Sequence, residues 1–556
     1  MTPLVALLLA ALVQDARPRA EYTIGIVDPA ARHATVAIEL TNLPAEASEL
    51  ELAFAERFAF VTFPQAQVHD PWDVVVGDQL SQVERTGPFA WRIPCAPAKR
   101  SAVAFKVPLD LRDSPLVDER GDYEMPLLTE DCAMLSCGAL LPAPKVDGIE
   151  LRVRFELPEG WAVHAPWPQV EPGVWAPRDT LSLQDTLVAL GRWEVHESTA
   201  DGAHAVALFA PSEARLAAEV APLVQALFAT EIELFGGAPL ERYLFLFAPS
   251  RVRGFAGSAK QGAMVLSVGA HTPVQAVKPY AAHLIAHEFF HTWGAARYAC
   301  PDELRFFNEG FTDFFAYEAT RRIGALSDQA LQDTIGEKLG AYERSARATG
   351  LSLVQAGGPV FFQGGAAYDQ VYAGGLVLAA LCQKVLSATG SGQARGQTLD
   401  GFLRAFNNDP RWSRDGTAPT LSDFLEQLSR QGGAKLASRV RALIETPTAD
   451  LESALIEAGC RLERRQEPAP LELRANLDGT RLVDLDPRCA AAQIGLRAGD
   501  RLIEVNGVQV AGPADCHSAF AQPRAGRLQI TLERDGAQEL IDAAPPMSET
   551  IAFRWQ

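Results

Sequence analysis

His287-Glu288-Phe289-Phe290-His291 and, further on, Asn308-Glu309-Gly310-Phe311-Thr312-Asp313 decide the reading of this sequence. Residues four apart share one face of a helix, so His287 and His291 can turn both imidazoles to a single ion. Glu288 then stands beside that ion without having to bind it. A catalytic Zn²⁺ takes three protein ligands and keeps one position open. Glu309, at the head of a second expected helix, supplies the third ligand, and one Zn²⁺ per chain is expected. Asp313 falls one turn later on the same face. A carboxylate there can accept the spare N–H of a ligating imidazole and fix its tautomer. Glu288 has the chemistry and the place of a general base. His283, one turn before His287, either stands behind the metal or touches substrate; a histidine satisfied in the core is the plainer alternative.

Working outward, the helix that carries the two histidines is expected to begin at Pro279 and to run past Trp293. Proline is tolerated in a first helical turn. Asn308 to Ile323 predicts the second helix, stopped by Gly324. Pro211 to Phe235 reads as a long helix, and RYLFLF (242–247) and GAMVLSV (262–268) as short apolar strands. Tyr368 and Tyr372 precede an apolar helix expected over Gly374 to Leu386. A phenol aimed at a tetrahedral oxyanion would lower its energy, but by physics alone packing is the better reading of each tyrosine. Thr420 with Asp423 forms a capping box. From Glu21 to Glu194, strand-like runs such as Thr35 to Leu40 and Ile149 to Phe155 are closely punctuated by Pro and Gly, which predicts a β-sandwich-like domain.

The chain has 556 residues, enough for several domains. Its formal net charge of −19 argues against nucleic acid, whose phosphates need clustered Lys and Arg. Leu4 to Val13 is an apolar run of signal-peptide length, too short to span a bilayer. A signal peptide over 1–18 is therefore expected, with a periplasmic or extracellular address; without cleavage there, the chain would be cytoplasmic. No later stretch reads as a transmembrane helix. Eight cysteines fit an oxidising compartment, and a local Cys132–Cys137 disulfide fits the loop-like DCAMLSCGAL.

Near the C-terminus, GLRAGDRLIEVNG (495–507) resembles a bacterial-type PDZ domain. Such domains add a peptide strand to a sheet edge, so a peptide or chain end is a candidate partner for it. The alternative is a packing module.

HEFFHTW (287–293) with NEGFTDFF (308–315) resembles the gluzincin metallopeptidases, and most of all the glycyl aminopeptidases, which pair such a catalytic domain with a PDZ domain. The resemblance implies a multidomain α+β chain. It comprises an N-terminal β-domain over 19–200, a thermolysin-like zinc peptidase domain with a helical subdomain over 201–460, and a PDZ domain over 465–545. It also implies an aminopeptidase-like hydrolase acting on peptides, and it assigns Tyr372, in a Y-x-x-G pattern with Gly375, as the oxyanion donor, with Tyr368 as runner-up. Aminopeptidase N-like enzymes place G-A-M-E-N on the substrate strand, where the glutamate holds the free amine. Here Gly262, Ala263 and Met264 are followed by Val265. By this reading the amine anchor is missing, and an endopeptidase becomes an alternative. A catalytically silent PDZ-bearing binding protein is the other.

Overall fold

The computed structural model describes residues 17–555 apart from 45–46, 59–60, 64–72, 78, 96–99, 110–123, 251–254, 270–273, 295, 390–397, 414–415, 469–470, 472, 474, 476, 484, 486–488, 513–514, 517–518, 521–526 and 546. Most of the expected signal peptide lies outside the described residues. The architecture is multidomain α+β, and the chain divides into two compact units. One runs to Leu331 and resumes over Ser345–Ala449; the other joins Gln332–Arg344 to Asp450–Gln556.

The N-terminal region is built on strict alternation. In His33–Thr41, Ala34, Val36, Ile38 and Leu40 are buried while their neighbours face outward. Period-two alternation makes one face of a strand apolar. This strand lies in an eight-stranded sheet, antiparallel except where Arg19–Gly25 pairs parallel with Glu150–Glu156. A four-stranded sheet containing Glu49–Ala53 and Ala90–Pro94 supplies Leu52, Trp91 and Ile93 to the same core. Cys132 lies in a buried strand and Cys137 opens the short helix after it, and both thiols are free. The expected local disulfide is therefore absent.

The same unit holds a second five-stranded sheet of Glu194–Ala200 (β1), Ala203–Phe209 (β2), Arg242–Ser250 (β3), Phe255–Lys260 (β4) and Ala263–Gly269 (β5). Its order is β1-β2-β3-β5-β4, with β5 parallel to β3 and β4 antiparallel to β5. One face shares a core with the sheet of Cys132–Ser136 and Leu187–Gly191, through Met134, Leu187, Val206, Leu246 and Val265. The helix Ala217–Phe235 (α1) ends at Gly236, whose φ of 77° suits a residue without a Cβ. Val274–Phe290 (α2) and Thr312–Arg322 (α3) follow, then Ala366–Thr389 (α4).

Two helix expectations need correction. The first site helix begins at Val274, so Pro279 lies inside it and costs one backbone hydrogen bond. It ends at Phe290, short of the expected Trp293. Beyond that point Thr292 N–H bonds Phe289 O and Trp293 N–H bonds Phe290 O, the tighter bonding common at helix ends. The expectation that no later stretch could cross a membrane is also revised: Ala366–Ala388 is long and apolar enough, but 67% of its most apolar window is buried inside the protein.

In the second unit, Arg501–Val505 forms the expected strand and pairs with Leu528–Arg534. Leu482, Leu502, Val505, Ile530 and Leu532 fill its core. The buried Asp500 carboxylate is held by Arg534 at 2.8 Å and accepts the Arg497 N–H at 2.8 Å.

Candidate active site

Three elements bring the expected ligands together. His287 on α2 and His291, the residue just past its end, stand one turn apart with their Nε2 atoms 3.3 Å from each other. Glu309 lies on a π-helical turn, Phe306–Phe311, that leads into α3. Such turns shift side chains by one position along a helix and are frequent at functional sites. Glu309 Oε2 lies 3.7 Å from His287 Nε2 and 3.8 Å from His291 Nε2. The three ligand atoms all fall within 4.8 Å of one another. Asn308 Nδ2 donates to the other Glu309 oxygen at 2.8 Å, which fixes the carboxylate.

Asp313 stands behind this group and is 3% exposed. Its Oδ1 lies 3.1 Å from His287 Nδ1, the contact that leaves Nε2 facing Glu309. The same oxygen lies 3.0 Å from His283 Nε2, in ion-pair range but not aligned as a hydrogen bond. His283 stacks on Tyr317 with ring centroids 4.0 Å apart. The structure therefore joins His283 to Asp313, behind the three expected ligands.

The electrostatics follow from burial. Burial works against the Glu309 charge, but the His287 and His291 imidazoles and the Tyr372 hydroxyl outweigh it and hold the carboxyl near 2. Burial lifts Glu288 to about 7, with Glu309 and Glu124 adding to the rise and His287 opposing it. Burial depresses His291 to about 4. For His287 burial acts downward too, but its hydrogen bonds to the Asp313 and Glu309 carboxylates reverse it and raise the imidazole to about 10. A divalent ion between these groups would replace the proton that His287 otherwise carries. Two imidazoles and one carboxylate, buried and convergent, are a donor set that suits Zn²⁺.

Tyr372 enters from α4. Its ring lies over that of His287, centroids 5.9 Å apart and 18° from parallel. Its hydroxyl is within hydrogen-bonding reach of Glu309 and of Tyr368, and burial raises it well above the ordinary phenol range. Tyr368 packs on Tyr372 at 4.5 Å and on Phe361 at 5.1 Å. Of the two tyrosines, Tyr372 is thus the one that lies against the ligand group.

The expected substrate strand is misplaced. Gly262 sits in the turn before β5, and Ala263 and Met264 lie on β5, hydrogen-bonded to β3 on one side and β4 on the other. Val265 is fully buried in the core. An interior strand cannot pair with a peptide, and Val265 cannot meet one whatever its side chain. The argument from Val265 to a missing amine anchor therefore fails. Among the described residues the outer strand is β4, and it lies beside the site. The Ala259 backbone amide faces the Glu288 carboxylate. A Cβ on Gly257 would come 3.4 Å from Glu288 Cγ and Oε1.

Sequence reasoning also missed Glu124 and Lys260. Both are buried, and Glu124 Oε2 lies 3.0 Å from Lys260 Nζ, at ion-pair distance but without hydrogen-bond alignment. No local signal joins residues so far apart in the chain. Glu231 on α1 was missed as well: it is 1% exposed, and burial lifts its carboxyl well above the ordinary range.

Comparison with known proteins comes to bear here. A family model for the PDZ domain matches residues 482–534. Among curated proteins, none matches the sequence. The crystal structure of an aminopeptidase N family protein from Idiomarina loihiensis is similar over 96% of this chain and 98% of its own, at 16% identity and a TM-score of 0.68. An M1 zinc metallopeptidase from Deinococcus radiodurans is similar over 78% of this chain and 96% of its own, at 15% identity and a TM-score of 0.48. The chain therefore shares its fold, over nearly its whole length, with an aminopeptidase N family protein, and it carries a PDZ domain near its C-terminus.

Proposed function

We propose that this chain is a zinc-dependent peptidase that hydrolyses peptide bonds at the His287–His291–Glu309 site. The observation that carries the reading is the convergence of two buried imidazoles and the half-buried Glu309 carboxylate beside a further carboxyl, Glu288. Bound Zn²⁺ would polarise the scissile carbonyl and ease ionisation of the attacking water. Glu288 takes a proton from that water on its carboxylate and delivers it to the leaving nitrogen. Lifted to about 7, it binds a proton far better than an ordinary carboxylate does and still releases it near neutral pH. Tyr372 donates a hydrogen bond from its hydroxyl to the oxyanion that forms at the carbonyl, and keeps its proton. Asp313 holds His287 through Nδ1. Among the described residues β4 is an outer strand of its sheet, which would offer an extended peptide an edge to pair with.

Digestion of a peptide library, with product ends mapped by mass spectrometry, tests the reading. Defined cleavage that disappears with a zinc chelator supports it, and intact peptides in the presence of zinc contradict it. The resemblance favours cleavage near peptide N-termini, with cleavage of internal bonds as the alternative, and the same digest distinguishes the two. The PDZ match favours a second reading, a silent peptide-binding protein; stoichiometric zinc without turnover would select it. Export through the N-terminal apolar run belongs to the proposal, and N-terminal sequencing of the mature protein tests it.

A further inference from the structure

Next to Glu288 lies a buried pair of opposite charges that the chemistry above does not use. Lys260 closes β4, the outer strand that flanks the site, and its side chain is 3% exposed. Glu124, from the N-terminal region, is 1% exposed, with Oε2 3.0 Å from the Lys260 ammonium. Three residues before Lys260 on the same strand, a Cβ on Gly257 would come 3.4 Å from Glu288 Cγ and Oε1, so the pair lies at the end of the strand that flanks Glu288. The Phe63 ring also stands near the Lys260 ammonium, its centroid 6.0 Å from Nζ.

Burying two charges costs several kcal/mol, and attraction between them recovers that cost only in good geometry. An unpaired carboxylate in this place would be a receptor for an ammonium, and a peptide laid along β4 brings one whenever its chain begins near the scissile bond. Lys260 already supplies that ammonium from within the fold. A substrate amine arriving here would find Glu124 neutralised and would meet a like charge.

We propose that the Lys260–Glu124 pair sets substrate specificity: by satisfying Glu124 internally, Lys260 makes the enzyme indifferent to a free N-terminus, so that blocked peptides and internal bonds are accepted. This rests on the peptidase reading and deepens it. The pair is a specificity determinant and takes no part in the bond-breaking steps.

The test compares one peptide with its N-acetylated form on the full chain loaded with zinc. Turnover is read on the wild type. Binding is read by calorimetry on Glu288→Gln, which need not turn over. In the wild-type background the two forms should differ by no more than about threefold in kcat/KM and in Kd. Lys260→Met strips Glu124 of its partner and should create a preference for the free amine of roughly tenfold or more. Lys260→Met combined with Glu124→Gln leaves no buried charge and should return the ratio to near one. Lys260→Arg should keep it there. Should Lys260→Met alone fail to fold, the wild-type ratio and the neutral double variant decide. A wild type that strongly prefers the free amine overturns the inference, as does a folded Lys260→Met with an unchanged ratio. If the wild type binds both forms alike, and Lys260→Met shifts that binding, yet nothing is cleaved, the peptidase reading fails and the specificity inference stands.

Discussion

Gly310 and Gly375 pack backbone against backbone: a Cβ on Gly310 would lie 2.4 Å from the Cα of Gly375, and one on Gly375 would lie 2.9 Å from the Cα of Gly310. This contact lets α4 cross the π-helical turn closely enough for Tyr372, one turn earlier, to reach Glu309. On Gly375 a Cβ would also meet the Phe306 carbonyl oxygen at 2.2 Å. Neither neighbour is a side chain that could swing away. Gly375→Ala should therefore push α4 off the site, lowering Tm by several degrees and weakening zinc binding about tenfold or more, as losses of supporting structure around a metal do. Thermal unfolding and a zinc competition assay read the two effects, and wild-type values for both would remove the contact from the account.

Asp313 is expected to act on the metal through His287. Asp313→Ala should weaken zinc about 10- to 100-fold while leaving the protein folded. Retention of wild-type affinity would mean that the 3.1 Å contact to Nδ1 does not orient the ring.

Tyr372→Phe should lower kcat by roughly ten- to a thousand-fold, with a smaller change in KM, because the lost donor acts on charge that exists only in the transition state. Tyr368→Phe should cost much less. Steady-state kinetics on both variants decide between them, and a loss confined to Tyr368→Phe would reassign the donor.

Glu231 supplies a prediction in pH. Burial raises its folded-state value well above the ordinary one, so the folded chain keeps a proton that the unfolded chain releases above roughly pH 4–5. Stability is then lost as pH rises from that range toward the folded value. Glu231→Gln removes the penalty in nearly the same shape. Its Tm should exceed that of the wild type by a few degrees at pH 8 and match it at pH 4. Equal Tm values at pH 8 would show that the carboxyl is stabilised by something else.

The ligand group was legible because its parts are local. His287, Glu288 and His291 lie within one helical turn, and Glu309 and Asp313 lie in the next element, so spacing alone places them together. The substrate strand was misread for a reason also visible in the sequence. Ala263–Gly269 (AMVLSVG) is almost continuously apolar, the mark of a strand covered on both faces. Phe255–Lys260 (FAGSAK), small and partly polar, is the better edge strand. Glu124 and Lys260 were not legible at all. Their pairing depends on how the N-terminal sheets meet the catalytic sheet, and no periodicity records it. The Gly310–Gly375 crossing was half legible: Gly375 stood out by motif, but Gly310 had no signal beyond its place after Glu309.

The most direct measurement of the central claim is peptide turnover as the metal-stripped chain is titrated with zinc. Activity should rise in proportion to zinc and level off at about one ion per chain. Run in parallel, Glu288→Gln should take up the same zinc and remain nearly inactive, because an amide cannot accept the proton from water. Full turnover by the stripped chain, or wild-type turnover by Glu288→Gln, would contradict the account.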